Sequence, residues 1–109
     1  MAYDGTGPLR RAVINTATAD TTLVAAVADK KIKVLHFLIE AEADATIRFE
    51  SGTGGTALTG QINIDISAGT TLKDSFEGGL FETAAGALLN LEQAGTVQLN
   101  GYLVYQLVE

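Results

Sequence analysis

The chain offers few residue types that do chemistry. It has one histidine, His36, and no cysteine, which excludes a disulfide framework, a thiolate metal site and a cysteine nucleophile. Nucleophilic catalysis needs a base within reach of a nucleophile and a third group to orient that base. No Gly-x-Ser-x-Gly elbow is present, and His36 sits between Leu35 and Phe37 in the most apolar segment. It reads as a structural histidine in or beside the core; the lesser alternative is a pH-sensitive group at a subunit interface. Ser51-Gly52-Thr53-Gly54-Gly55-Thr56 has the glycines of a phosphate loop. It lacks the Gly-Lys-Ser/Thr ending, and a β-type alternation rather than a helix follows it. It therefore reads as a mobile hairpin loop. Glu40, Glu42 and Asp44 fall at i, i+2 and i+4, which in an extended chain projects three carboxylates from one face. Calcium takes such oxygen ligands, but the EF-hand spacing, its glycine and its terminal Glu are absent. A solvated acidic edge that discourages unwanted strand pairing is the simpler reading. Tyr3, Tyr102 and Tyr105 have no basic neighbours to make a stacking platform for single-stranded nucleic acid. The expectation is no enzyme, no cofactor and no metal.

Composition points the same way. Seven Lys and Arg stand against thirteen Asp and Glu, a net charge of −6, which argues against nucleic acid as a partner. At 47% apolar residues the chain is too hydrophobic for disorder, and 109 residues make one domain. No apolar run approaches the ~20 residues of a membrane helix, and no signal peptide opens the sequence. The expectation is a protein made in the cytoplasm, with no membrane partner. The opening Gly5, Gly7 and Pro8 block regular structure. Residues 1–10 are expected to be an N-terminal arm and residues 11–109 the domain. The arm is either a frayed end or a segment that docks on a partner through Tyr3, Leu9, Arg10 and Arg11.

The elements that must position all of this are strands. Thirteen threonines and twelve glycines sit among short Val/Ile/Leu runs, a β composition with frequent turns. Residues 61–66 alternate cleanly, with Ile62, Ile64 and Ile66 against Gln61, Asn63 and Asp65, and in 45–50 Ile47 and Phe49 oppose Thr46, Arg48 and Glu50. Residues 96–108 alternate throughout, and Gly101 within them marks a bulge or the close approach of another strand. Ala28-Asp29-Lys30 reads as a turn. Two segments are apolar on both faces. Residues 21–27 carry Leu23, Ala25 and Val27 on one side and Val24 and Ala26 on the other. In 31–42, Ile32, Val34, His36 and Leu38 point inward, yet Leu35, Phe37 and Ile39 make the opposite face apolar too. Either both faces are covered, or a bulge switches them; a helix over 34–42 is a competing assignment. The total is about eight strands, which predicts an all-β antiparallel sandwich, jelly-roll-like. A sandwich has only two inner sheet faces, so the doubly apolar segments predict a homo-oligomer interface at Leu23, Val24, Val27, Leu35, Phe37 and Ile39.

Three segments carry a family resemblance. Thr22-Leu23-Val24-Ala25-Ala26-Val27-Ala28-Asp29-Lys30-Lys31-Ile32-Lys33-Val34-Leu35 is the first. Ile47-Arg48-Phe49-Glu50-Ser51-Gly52 with its Thr/Gly loop is the second. Gly79-Leu80-Phe81-Glu82-Thr83-Ala84-Ala85-Gly86-Ala87-Leu88-Leu89-Asn90-Leu91, ahead of a long final strand, is the third. Together they resemble small β-sandwich virion proteins of tailed bacteriophages, over roughly residues 20–108. The resemblance implies a capsid decoration or cement protein that binds the major capsid protein on the outer shell and stabilises it as a homotrimer. It implies no cofactor and no active site. A tail or head-fibre module binding host-surface glycan is the alternative.

Overall fold

The computed structural model describes residues 8–66, 71–76 and 78–109. Among these residues ten strands run in chain order: β1 (Arg10–Thr16), β2 (Asp20–Val24), β3 (Lys31–Ala41), β4 (Ala45–Ser51), β5 (Thr56–Ala57), β6 (Ile62–Ile64), β7 (Leu72–Ser75), β8 (Phe81–Glu82), β9 (Leu89–Gln93) and β10 (Leu99–Val108). They form two five-stranded sheets, and every pairing is antiparallel. Sheet A has the order β1-β10-β3-β7, with β8 also on β3; sheet B has the order β2-β9-β4-β5, with β6 also on β4. The pairing is nested: β1 with β10, β2 with β9, β3 with β7 and β8, β4 with β5 and β6. This is one long hairpin rolled into a sandwich, the jelly-roll arrangement. Ten strands occupy eight positions because two outer positions are each split into a pair of short strands. No helix among the described residues is long and apolar enough to cross a membrane.

The turn at Ala28-Asp29-Lys30 forms as its composition requires. Asp29 takes φ +64° and the Lys30 N–H donates to the Val27 carbonyl at 3.1 Å, a conformation Asp tolerates. Gly101 is the close approach: a Cβ there would fall on the Leu38 carbonyl oxygen of β3. The core lies between the sheets. Ile14, Ile32, Val34, Ile39, Leu99 and Leu103 come from sheet A, and Ile47, Phe49, Ile64, Leu89 and Leu91 from sheet B. Phe49 tilts against Phe37 and Phe81 with ring centroids 5.2 and 5.0 Å apart, a geometry favourable to aromatic quadrupoles. Buried Gln93 ties two loops together. Its amide donates to the Thr18 and Val97 carbonyls and its oxygen accepts from the Val97 N–H.

Residues 31–41 form a strand throughout, with a bulge at the middle. His36 pairs with Val104 and Val34 with Tyr105, so Leu35 has no counterpart on β10. The extra residue shifts the alternation by one. Ile32 and Val34 point into the core before the bulge, and Phe37 and Ile39 after it. The expected inward direction of His36 and Leu38 is therefore corrected: both face outward. Segment 31–41 has one buried face, and its doubly apolar pattern comes from the switch. The isoleucine alternation of 61–66 also ends early, because Ile64 is buried but Ile66 is exposed beyond β6.

Candidate functional site

The residues expected at an oligomer interface are scattered. Val24, Phe37 and Ile39 belong to the core of the chain itself, and Leu23 packs against that core. Already covered, Val24, Phe37 and Ile39 cannot form an outer contact face. Val27 lies outside β2 and is 38% exposed, while Leu35 is half-buried at the bulge. Of the residues expected to dock through the arm, Arg10 opens β1 opposite Tyr105, and Arg11 stands opposite Val104. Leu9 precedes the strand and is exposed. Tyr3 lies outside the described residues.

The outer face of sheet A brings a different set together. Val13 of β1, Tyr102 of β10, Leu38 of β3 and Lys73 of β7 form one cross-strand row; Arg11, Val104, His36 and Ser75 form the next. The Tyr102 hydroxyl lies 3.2 Å from His36 Nε2, and the Arg11 guanidinium carbon lies 5.6 Å from the Tyr102 ring centroid, over its face. That places a cation on the negative face of the ring. Val13 is 71% exposed. The result is an aliphatic and aromatic strip with Arg11 and Lys73 at its margins, on a chain whose net charge is −6.

The outer face of sheet B carries the densest polar cluster. Arg48 and Glu50 project from β4, Asn90 and Glu92 from β9, and Asp20 from β2; register places Arg48 opposite Glu92, Glu50 opposite Asn90 and Asp20 opposite Glu92. Glu50 is fully buried although it is on an outer face. The cause is the loop after β4. Gly52 and Gly54 take φ of +82° and +68°, and the chain turns back so that the Gly54 N–H donates to Glu50 Oε1 at 3.2 Å. The loop that reads as a free hairpin tip is thus a lid on a carboxylate. Arg48 Nη2 lies 2.7 Å from Glu50 Oε2, and its Nε lies 2.9 Å from that oxygen and 3.0 Å from Glu92 Oε1. Asn90 Nδ2 donates to Glu50 Oε1 at 2.8 Å and to Asp20 Oδ1 at 3.0 Å. Burial raises the Glu50 pKa, but hydrogen bonds from Asn90, Arg48 and Gly54 and the Arg48 charge outweigh it. The carboxyl is held below its ordinary value.

Glu40, Glu42 and Asp44 do not converge as a cage. Glu42 accepts from Asn100 Nδ2 at 3.2 Å and Asp44 from the Ile66 N–H at 3.1 Å. Among the described residues the three carboxylates that do converge are Asp20, Glu50 and Glu92.

No known protein family, curated protein or solved structure matches the chain. The sites are therefore read from their own chemistry. Sequence reasoning missed the sheet B cluster because Asp20, Glu50 and Asn90 are far apart along the chain and meet only through strand order. The available signal was the polar Arg48 and Glu50 alternating with Ile47 and Phe49.

Proposed function

We propose that the protein is a structural component of a tailed-bacteriophage virion: a capsid decoration, or cement, protein that binds the major capsid protein on the outer shell as a homotrimer. It would be made in the host cytoplasm and act on the particle surface, without cofactor, nucleic acid or membrane. The observation that carries this reading is the outer face of sheet A. The strip of Val13, Leu38, Tyr102 and Val104 is the kind of apolar patch that soluble proteins reserve for partners, and it replaces the interface expected from the sequence. The jelly-roll fold and the three resembling segments are consistent with it. Arg11 stands beside the strip and Arg10 next to it in sequence at the start of β1, where carboxylates of a neighbouring subunit or shell would steer attachment in a salt-sensitive way.

Light scattering tests the assembly. The wild-type protein is expected at three times its 11.4 kDa chain mass, and Val13→Asp at the mass of one chain with its β spectrum unchanged. A wild-type monomer at micromolar concentration overturns the trimer. Quantified gels of purified particles test the location: many copies per particle are expected, and a handful would favour the tail or fibre alternative.

A further inference from the structure

We propose that the homotrimer is built edge to face: Phe76, directly after β7 of one chain, packs on the strip of Val13, Leu38, Tyr102 and Val104 of the next, with Asp74 set against Arg11. The inference rests on the trimer reading above and names the second half of its contact.

A cyclic trimer joins unlike surfaces, because a three-fold axis carries a patch on one chain to a different patch on its neighbour. The sheet A strip therefore needs a complementary surface elsewhere on the same chain. Among the described residues the most exposed large hydrophobic side chains are Val13, Leu9 and Phe76. Two of them lie at β1 and the third directly after β7, at the opposite end of the order β1-β10-β3-β7. Three strand spacings of about 4.8 Å separate these edges, too far for Phe76 to cover Val13 of its own chain. Phe37, Phe49 and Phe81 pack on one another in the core. Phe76, the fourth phenylalanine, stands outside that cluster and is 64% exposed.

The backbone of Phe76 is held in place. Its N–H donates to the Leu35 carbonyl, at the bulge of β3, at 2.9 Å, and its carbonyl accepts from the Gly79 N–H at 2.9 Å. The ring lies against Gly78, where a Cβ would come 2.9 Å from the ring's Cε2. An aromatic ring presented by a fixed backbone loses little freedom on docking, which is the character of an interface anchor.

Charge selects the pairing. The strip has Arg11 and Lys73 at its margins and no carboxylate in its two cross-strand rows. Strip against strip would bring cations together, and like charges across an interface are costly. Asp74 is exposed two residues before Phe76, and its Oδ1 accepts from the Ser75 N–H at 2.8 Å. Alternation along β7 puts Asp74 on the side away from Lys73. Phe76 docked on a neighbouring strip thus brings a carboxylate to its arginine end.

Light scattering on the full chain and its variants tests the contact. Phe76 is exposed, so Phe76→Ser should keep the β spectrum of the wild type and run at the mass of one chain where the wild type runs at three. Arg11→Glu and Asp74→Arg should each lose the trimer, and the double variant, with the two charges exchanged, should regain it. Phe76→Ser at the three-chain mass overturns the edge-to-face contact and leaves the trimer reading standing. A double variant that stays at one chain, or single reversals that keep the trimer, overturn the pairing of Asp74 with Arg11. A monomeric wild type removes the trimer itself and this contact with it.

Discussion

Arg48 and Glu50 sit two residues apart on the same face of β4, and their side chains fold onto each other until Nη2 and Oε2 are 2.7 Å apart. Adjacent same-face positions on a strand normally diverge into solvent. Here the glycine loop closes over the pair and Asn90 braces it from β9. The consequence is a pH dependence. The Glu50 carboxyl is held below its ordinary 4.5, so its contribution to stability is complete above that value and is lost as pH falls through the folded-state pKa. The wild-type urea midpoint should drop on acidification below 4.5. Glu50→Gln should be less stable at pH 7 and flatter across the same acid range. Parallel curves for the two proteins would assign the acid transition to other groups.

Ile64 and Asn63 test the register of β6. Ile64 is buried, whereas Asn63 faces water and accepts one hydrogen bond from the Thr46 hydroxyl at 2.9 Å. Ile64→Ala should cost ~2–5 kcal/mol by leaving a cavity. Asn63→Ala should fall within ~0.5 kcal/mol of wild type, since an exposed hydrogen bond is exchanged with solvent. Equal losses in denaturant melts would refute the register.

Gly101 tests the packing of β10 on β3. A methyl group there meets the backbone carbonyl of Leu38 rather than a movable side chain, so Gly101→Ala should cost more than ~2 kcal/mol. Gly95 has open space around the same position, and Gly95→Ala should change stability by no more than ~0.5 kcal/mol. Circular dichroism melts of both variants check the contrast.

The sequence made the two-layer architecture readable because alternation survives wherever a strand is regular. Ile47 and Phe49, and Ile62 and Ile64, point as their spacing predicts. It failed at Leu35, where one inserted residue made a single buried face look like two and drew Phe37 and Ile39 into an expected interface. A bulge leaves no compositional mark, so periodicity cannot separate it from a strand covered on both sides. The sheet B cluster was illegible for another reason. Asp20, Glu50 and Asn90 become neighbours only when β9 inserts between β2 and β4, which is long-range information. Gly52 and Gly54 read correctly as turn formers, but nothing local says that their loop would close over the side chain of Glu50.

The place of β10 governs how the molecule comes into being. It lies between β1 and β3 in sheet A, yet it is the last of the described strands in chain order, and among the described residues β1 has no other neighbour in that sheet. During synthesis β1 must therefore wait, unpaired, until β10 has been made. Its seven residues are an open edge until Leu99–Val108 arrive. Pairings between such distant segments pay their loop-closure entropy before any contact rewards it, which makes assembly slow and its early stages prone to strand capture by other chains. The arginines at the start of β1 are well placed to keep that waiting edge apart from its copies.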